Sequence, residues 1–436
     1  MLDHTIVSQI LTISNVVIGA LFFLCYFYQI VFLFAAYLKQ NKVMPDADPH
    51  RIAVLIAARN EEKVIGNLID TLNKQDYPRE YFDIFLVADN CTDNTADVAR
   101  SLGVTVYERH DTEHIGKGYV LDLMLKNIWR ERGEDAYDAF LVFDADNIVE
   151  RNYLTEINKT FSQGFDVVSS YRNSTNYGDG WRAAGTGMWF LREARVLNNA
   201  RMKVGMNTFI AGTGFLFSNR LAHEQGGWPY HTLTEDFEFT VNNAIRGTKT
   251  GYCETARFFD WQSSGMSQSW RQKLRWTKGG FQVMAKYRKE LFLGLFSRKI
   301  FSCFDMSVCM FGAFFVSMLA IIVNTIGYTA LLLTGAGIVD VLIQLALLIP
   351  GAYFALCLFS VPITISEWKR LRASTGKKIL YALTFPIYIF SYIPVAFAAI
   401  FTKKVEWKPI RHDGAALQNF LEDDNQKAEE SDESKQ

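Results

Sequence analysis

The stretch AFLVFDADN, residues 139–147, is an apolar run that ends in two aspartates, Asp144 and Asp146. Residues i and i+2 of a strand point to the same side, so both carboxylates can enter one cleft as the strand ends. Two carboxylates this close repel each other unless a cation is present. Their hard oxygens suit Mg²⁺ or Mn²⁺, often together with substrate phosphates. The pair therefore predicts a divalent-metal site, and a solvated turn is the alternative for this motif taken alone.

The sequence around this stretch alternates strand-like and helix-like segments. Apolar strand-like runs lie within 51–62, 82–95 and 104–109, and segments with helical spacing follow them. This alternation predicts the α/β class, with a mostly parallel sheet covered by helices on both faces. Ligands of such sheets bind at the carboxyl ends of the strands. Polar clusters stand at these ends: Arg59 to Glu61, Asp89 with Asn90, and Asp144 with Asp146.

A dinucleotide-binding domain is one alternative for such a sheet. It requires a G-x-G-x-x-G turn after the first strand. The chain has AARNEE there, at 57–62, and its nearby glycine pair, Gly116 and Gly118, stands at a helix start instead. The motif pattern therefore argues against a nicotinamide-dependent oxidoreductase.

The composition narrows the possible partners. The 436-residue chain has a net charge of −1, which implies no nucleic acid or other polyanion as a partner. Its six cysteines are scattered without a C-x-x-C pair. They therefore indicate neither a zinc site nor a disulfide framework.

An N-terminal membrane anchor is predicted from residues 15–37, which carry no charge. About 20 helical residues span a bilayer core. A signal peptide would have a shorter apolar region and a basic start. Lys39 and Lys42 follow the apolar run, and the first ten residues contain no Lys or Arg, which predicts an uncleaved helix with its N-terminus outside.

A second membrane region follows the central domain. No Lys or Arg occurs from Ile300 to Trp368, and TGAG at 334–337 predicts a turn between two spans, about 306–333 and 339–366. Both flanks of this hairpin are basic and are expected in the cytosol. The apolar stretch 379–401 contains Pro386 and Pro394, so a helix there would kink or break, and both a full crossing and a re-entrant segment stay open.

The predicted organisation has four parts. They are an anchor (1–42), a cytosolic α/β domain (43–298), a transmembrane hairpin with a proline-broken segment (299–403), and a polar cytosolic or disordered tail (404–436).

Two further motifs carry polar chemistry. LTEDFEF, at 233–239, sets Glu235 beside Asp236, although an acidic turn before an apolar helix is often only an N-cap. SWRQKLRWTKGG, at 269–280, sets Gln272, Arg275 and Trp276 on one helical face. Arg binds phosphate oxygens in bidentate fashion, and Trp can stack on a sugar ring. The alternative is an amphipathic helix at a membrane interface.

In this order, the motifs resemble the family 2 glycosyltransferases of membrane-integrated β-glycan synthases, such as cellulose, hyaluronan and poly-N-acetylglucosamine synthases. Ceramide glucosyltransferase shows the same motifs. The resemblance covers about residues 50–280 and consists of the aspartate in ADNCTDNT, the D-x-D, the T-E-D and the Q-x-x-R-W. It implies a GT-A type nucleotide-sugar-binding domain inserted between transmembrane helices. It also implies an inverting transfer from a UDP-sugar with Mg²⁺ or Mn²⁺.

The resemblance also implies a role for each motif residue. Glu61, Asp89 and Lys117 would bind the nucleotide. Asp144 and Asp146 would bind the metal on the diphosphate, and Gln272 and Arg275 would bind the donor diphosphate itself. Glu235 and Asp236 would form the catalytic pair, with Asp236 as general base, and Trp276 and Thr213 would contact the acceptor. Thr213 belongs to FIAGTGFLF (209–217), which departs from the F-F-C-G-S type of cellulose synthases and argues against cellulose as the product.

Three functions are compatible with these motifs. A processive polysaccharide synthase in a bacterial plasma membrane, coupled to export of its glycan, is the first expectation. A non-processive enzyme with a membrane-lipid acceptor is the second, and the few membrane segments favour it because they would make a slim channel. A catalytically inactive scaffold is the third, but it would be expected to lose the D-x-D or Asp236, and this chain keeps both.

Overall fold

The structure of the chain is a computed structural model that describes residues 3–38, 44–403 and 405. Lys39 and Lys42, on which the orientation of the anchor depends, lie outside the described residues. The predicted polar tail, 404–436, also lies outside them, apart from residue 405.

Eight strands form one mixed sheet in the order β3-β2-β1-β4-β7-β6-β8-β5. Strands β1 to β4 are parallel to one another, and β6 is parallel to β8. In contrast, β7 runs antiparallel to both β4 and β6, and β5 runs antiparallel to β8. The predicted α/β class is confirmed, but the sheet is mixed because the chain reverses direction in its second half. The strands are β1 Ile52–Ala58, β2 Phe82–Asp89, β3 Thr105–Arg109, β4 Ala139–Asp144, β5 Ile148–Val149, β6 Val167–Ser174, β7 Phe215–Ser218 and β8 Thr250–Asp260.

Fifteen α-helices of the described residues accompany the sheet. They are α1 His4–Leu38, α2 Ile65–Asn73, α3 Thr95–Ser101, α4 Lys117–Arg132, α5 Tyr153–Phe161, α6 Trp181–Leu191, α7 Asn199–Lys203, α8 Asn219–Gln225, α9 Glu235–Arg246, α10 Met266–Gly294, α11 Ile300–Ser307, α12 Ala313–Leu333, α13 Ile338–Ser366, α14 Thr375–Phe390 and α15 Tyr392–Phe401. Short π-helical segments join α6 to α7 (Arg192–Asn198) and α11 to α12 (Val308–Gly312).

The central strand β1 is buried on both faces, as expected for a strand inside a covered sheet. Successive side chains of a strand point to opposite faces. Ile56 accordingly packs in a core with Leu68 of α2, and Leu55 packs in a second core with Leu125 of α4. These two apolar layers fix the parallel strands relative to one another, so that their carboxyl ends lie together. The candidate site lies at these ends.

Four helical segments are long and apolar enough to cross a membrane: 4–37, 314–333, 338–366 and 375–401. They indicate membrane association, while the side of the membrane on which the sheet domain lies stays a prediction. The predicted first span of the hairpin is divided, because α11 and a π-helical segment precede α12. The turn at 334–337 lies between α12 and α13.

The proline-containing stretch forms two helices that meet at Ser391. Pro386 lies inside α14 near its end, and Pro394 lies in the first turn of α15. A proline in a first turn is tolerated because its missing N–H would have no partner within the helix. The break therefore falls between the prolines.

A fully buried ion cluster ties the first apolar helix to the sheet domain. Arg201 of α7 pairs with Asp305 of α11 at 2.6 Å and also with Glu193. The Tyr28 hydroxyl of α1 donates to the other Asp305 oxygen at 2.6 Å. Burial of these charges is tolerated because each has a partner.

Removing one member of this cluster should destabilise the protein strongly. Asp305→Ala leaves the Arg201 charge buried with one carboxylate fewer, which costs about 3–5 kcal/mol. We expect a clear fall in the thermal unfolding midpoint of the detergent-solubilised protein. The matched control is Asp70→Ala, which removes an exposed pair with Lys74 and should change the midpoint little. An unchanged midpoint for Asp305→Ala would contradict the stabilising role of the cluster.

Candidate active site

The D-x-D turn follows β4 and is held by two neutral side chains. The Asp144 amide donates to Thr213 Oγ1 at 2.9 Å and to Asn147 Oδ1 at 3.2 Å. Asn147 Nδ2 donates to Asp146 Oδ1 at 3.2 Å. The Asp144 side chain is 42% exposed, whereas Asp146 is only 9% exposed. Thr213 thus uses its buried hydroxyl to order this turn, and its predicted contact with an acceptor stays a prediction.

Lys117 links this turn to the segment 209–217. Its ammonium, at the start of α4, pairs with Asp144 Oδ1 and donates to the Gly212 carbonyl at 2.8 Å. A positive charge here reduces the repulsion between the two aspartates. The donor set fits Mg²⁺ or Mn²⁺ bound together with a diphosphate, because such ions use one or two carboxylates and take the other ligands from phosphate and water. Within the described residues no group of three or more acidic, His or Cys side chains forms a complete metal cage.

The T-E-D motif lies at the first turn of α9. Burial and the neighbouring Asp236 charge raise the pKa of Glu235 to about 7, against the opposing effect of Lys117 and Arg275. Burial also raises the pKa of Asp236, whose side chain stays partly exposed. A Cβ at Gly212 would lie 3.3 Å from Asp236 Oδ2, and Gly212 has a φ of +84°. The glycine therefore permits the Asp236 carboxylate to approach the backbone beside Lys117.

The Q-x-x-R-W helix, α10, packs against this motif. Arg275 Nη1 donates to the Leu233 carbonyl at 2.8 Å, just before T-E-D. The Trp276 ring lies 5.9 Å from Phe190, edge to face, and Gln272 is half-buried on the same helix. The fold thus places Arg275, a predicted diphosphate ligand, beside the motif of the predicted base, with Trp276 next to it on the same helix.

A residue inside the same motif, Lys273, was not singled out by its sequence. Its side chain is buried, its Nζ donates to Ser391 Oγ at 2.6 Å, and it lies 3.8 Å from the Tyr388 ring centroid. Burial and the nearby Arg182 charge lower its pKa to about 8. Lys273 thereby joins α10 to the break between α14 and α15. A lone Lys in a basic motif carries no local signal for such a contact.

The nucleotide side of the predicted site also contains an unforeseen partner. Asp89, buried at the end of β2, accepts from Arg109 Nη1 at 2.6 Å and from Asn90 Nδ2 at 3.0 Å. Arg109 is the last residue of β3, the parallel neighbour of β2. A basic residue at the end of a predicted strand was the sequence signal that could have indicated this partner of Asp89. Glu61 lies in the loop after β1, and its amide donates to Thr95 Oγ1 at 2.8 Å.

A mixed sheet with a D-x-D turn, an acidic helix start and a basic helix at one edge defines a GT-A-like glycosyltransferase fold. Residues 49–279 match the family described as "Glycosyltransferase like family 2". This match covers more than half of the chain, and the chain belongs to that family. Residues 49–279 therefore form a family 2 glycosyltransferase domain.

Two curated relatives are similar over part of their length. The chain is 25% identical over 243 residues to a beta-monoglucosyldiacylglycerol synthase of Synechocystis, covering 54% of this chain and 49% of that protein. It is 26% identical over 291 residues to the probable glycosyltransferase YdaM of Bacillus subtilis, covering 61% and 63%. The chain therefore spans about half to two thirds of the length of these relatives.

A solved structure supports the fold. The mannosyltransferase PcManGT from Pyrobaculum calidifontis, in complex with GDP-Man and Mn²⁺, matches with a TM-score of 0.58 at 16% identity. The match covers 90% of this chain and all of that chain. At this identity the similarity concerns the fold alone.

Proposed function

We propose that this enzyme transfers a hexose from a UDP-sugar to a hydroxyl group of a membrane lipid, which yields a β-linked glycolipid. The observation that carries the proposal is the similarity to a relative named for the synthesis of a glucosylated diacylglycerol. The four apolar segments of the described residues support it as well, since they suffice to hold a site at a bilayer surface. Similarity to the lipid enzyme outweighs the motifs that favoured a processive polysaccharide synthase.

Asp236 is the general base of the proposed reaction. It removes the proton of the acceptor hydroxyl while that oxygen bonds to the anomeric carbon and the bond from this carbon to the UDP oxygen breaks. One displacement inverts the centre, so an α-linked donor gives a β-glycoside. The raised pKa of Asp236 supports this role, because a carboxylate whose pKa is closer to neutral pH accepts a proton more readily. Protonated Glu235 adds no second charge beside it below a pH of about 7.

The donor diphosphate would lie between the D-x-D turn and α10. Asp144 and Asp146 would hold Mg²⁺ or Mn²⁺, which when bound neutralises charge on the leaving diphosphate. Lys117, Gln272 and Arg275 would contact the same phosphates. The Lys117 ammonium and the Arg275 guanidinium would supply positive charge there.

A bacterial plasma membrane with the sheet domain on its cytosolic side completes the proposal. Basic residues on both flanks of the α12–α13 pair support this orientation, since basic loops stay in the cytosol: Arg298 and Lys299 before it, and Lys369, Arg370 and Arg372 after it.

The proposal is tested with purified protein in detergent and Mn²⁺, offered UDP-glucose, UDP-galactose, UDP-N-acetylglucosamine or UDP-glucuronate with and without diacylglycerol. We expect UDP release that depends on the lipid, together with a small glycolipid product. The control omits Mn²⁺ and adds a chelator. A high-molecular-weight product formed without lipid would contradict the proposal and support a processive polysaccharide synthase.

A further inference from the structure

The last residue of β8 and the loop that follows it contain three buried side chains that each leave a polar atom without a hydrogen bond. Asp260, Gln262 and Ser263 are 4%, 2% and 1% exposed. Among the described residues, Asp260 Oδ1, Gln262 Nε2 and Ser263 Oγ accept or donate no hydrogen bond. Buried polar groups are nearly always paired, because leaving one unpaired is costly. Three within four residues indicate a partner that the folded chain itself does not supply.

The loop lies directly beside the D-x-D turn. Phe259 of β8 pairs with Ile148 of β5 in the antiparallel direction. Asp260 follows Phe259 and Asn147 precedes Ile148, so both residues leave this antiparallel pair at the same end, and Asn147 donates to Asp146. Asp260 therefore lies near the proposed position of the donor diphosphate, and Gln262 and Ser263 follow it closely in the chain.

The backbone of the loop is already held in place, so its side chains are not needed for that purpose. Asn176 Nδ2 donates to the Gln262 carbonyl at 2.8 Å, and the Gln262 amide N–H donates to Asn176 Oδ1 at 2.8 Å. This pair of bonds fixes residue 262 independently of its own side-chain amide. The buried amide and hydroxyl groups thus remain available for a ligand.

The charge of Asp260 is balanced on one side only. Arg172 Nε donates to Asp260 Oδ2 at 3.0 Å, and Arg172 Nη1 donates to the Ala211 carbonyl at 2.6 Å. The Gln262 side chain is close enough to the carboxylate to lower the pKa of Asp260, although neither Gln262 Nε2 nor Asp260 Oδ1 completes a hydrogen bond. Arg172 therefore makes a buried carboxylate tolerable while Oδ1 is left as an acceptor.

We propose that Asp260, Gln262 and Ser263 form a subsite for vicinal hydroxyl groups, an inference that rests on the proposed function. One acceptor beside an amide donor and a hydroxyl matches a diol, in which each hydroxyl both donates and accepts. Two sources carry this chemistry: the hexose of the nucleotide sugar and the glycerol hydroxyls of a lipid acceptor. The position beside the D-x-D turn favours the hexose.

The test uses the full chain in detergent with Mn²⁺, as wild type, Ser263→Ala and Gln262→Met. Binding of UDP and of UDP-glucose is measured by calorimetry, and KM for a diacylglycerol acceptor by UDP release. We expect unchanged UDP affinity and roughly three- to tenfold weaker UDP-glucose binding, the effect of one lost neutral hydrogen bond. Ser267→Ala, on the exposed start of α10, is the matched control and should change neither affinity.

Every outcome of this test either supports or overturns the proposed subsite. A higher acceptor KM with unaltered UDP-glucose affinity supports the subsite but assigns it to the lipid. Variants that bind both ligands and the acceptor like the wild type, or that lose UDP and UDP-glucose affinity equally, overturn it. Ser263→Ala removes an unpaired hydroxyl, so the thermal unfolding midpoint of this variant without ligand should not fall below that of the wild type. The midpoint therefore serves as the check that the variant is folded. A wild type that binds neither nucleotide contradicts the proposed function together with the subsite.

Discussion

Asp236→Asn should lower turnover by about 10²–10⁴-fold, the usual contribution of a positioned general base. The amide keeps the shape of the side chain but cannot accept the acceptor proton. UDP affinity should stay close to that of the wild type, because the proposed base acts on the acceptor hydroxyl and not on the nucleotide. Turnover is followed as UDP release with donor and lipid present, and UDP affinity by calorimetry.

The matched control for this change is Asp135→Asn, an exposed residue in the loop before β4, at the amino end of a strand whose carboxyl end carries the site. It makes the same chemical substitution away from the site and should leave turnover unaltered. Normal turnover by Asp236→Asn would show that the base assignment is wrong. A joint loss of turnover and UDP affinity would assign Asp236 to donor binding instead.

Asp146→Ala should weaken UDP binding in the presence of Mn²⁺ by at least about tenfold, because it removes one of the two carboxylates proposed to hold the ion. With a chelator present, mutant and wild type should bind UDP equally weakly. Calorimetry with and without the metal measures this difference. Electron paramagnetic resonance of Mn²⁺ reports ion binding directly, independently of turnover.

Asp135→Ala is the control for this second change, and the thermal midpoint verifies folding, since Asp146 is buried. Equal metal-dependent UDP affinity in Asp146→Ala and the wild type would refute the metal role. If the variant lost Mn²⁺ binding but kept its UDP affinity, the ion would not contribute to binding of the nucleotide.

Much of the site was predictable where the signal is local. The apolar run before Asp144 predicts a buried strand, and its end then determines where the two aspartates lie. Helical spacing predicts that Gln272, Arg275 and Trp276 share one face. These inferences require only the periods of the strand and the helix.

Other features depend on partners far apart in the chain. The Arg109 contact to Asp89, the Lys273 contact to Ser391 and the Arg201 pair with Asp305 join residues 20, 118 and 104 positions apart. Neither residue of such a pair carries a local pattern that identifies the other. Only the packing of strands and helices reveals them.

The sequence alone determined the α/β class, the apolar helices on both sides of the domain, and the order of the D-x-D, T-E-D and Q-x-x-R-W motifs. These properties follow from short-range periodicity and from the chemistry of individual side chains. The tertiary structure alone decided the mixed strand order, the approach of Asp236 to Gly212, and the burial of Asp260, Gln262 and Ser263 beside the D-x-D turn. The physical reason is that burial and electrostatic pairing arise only when distant segments exclude water from one another.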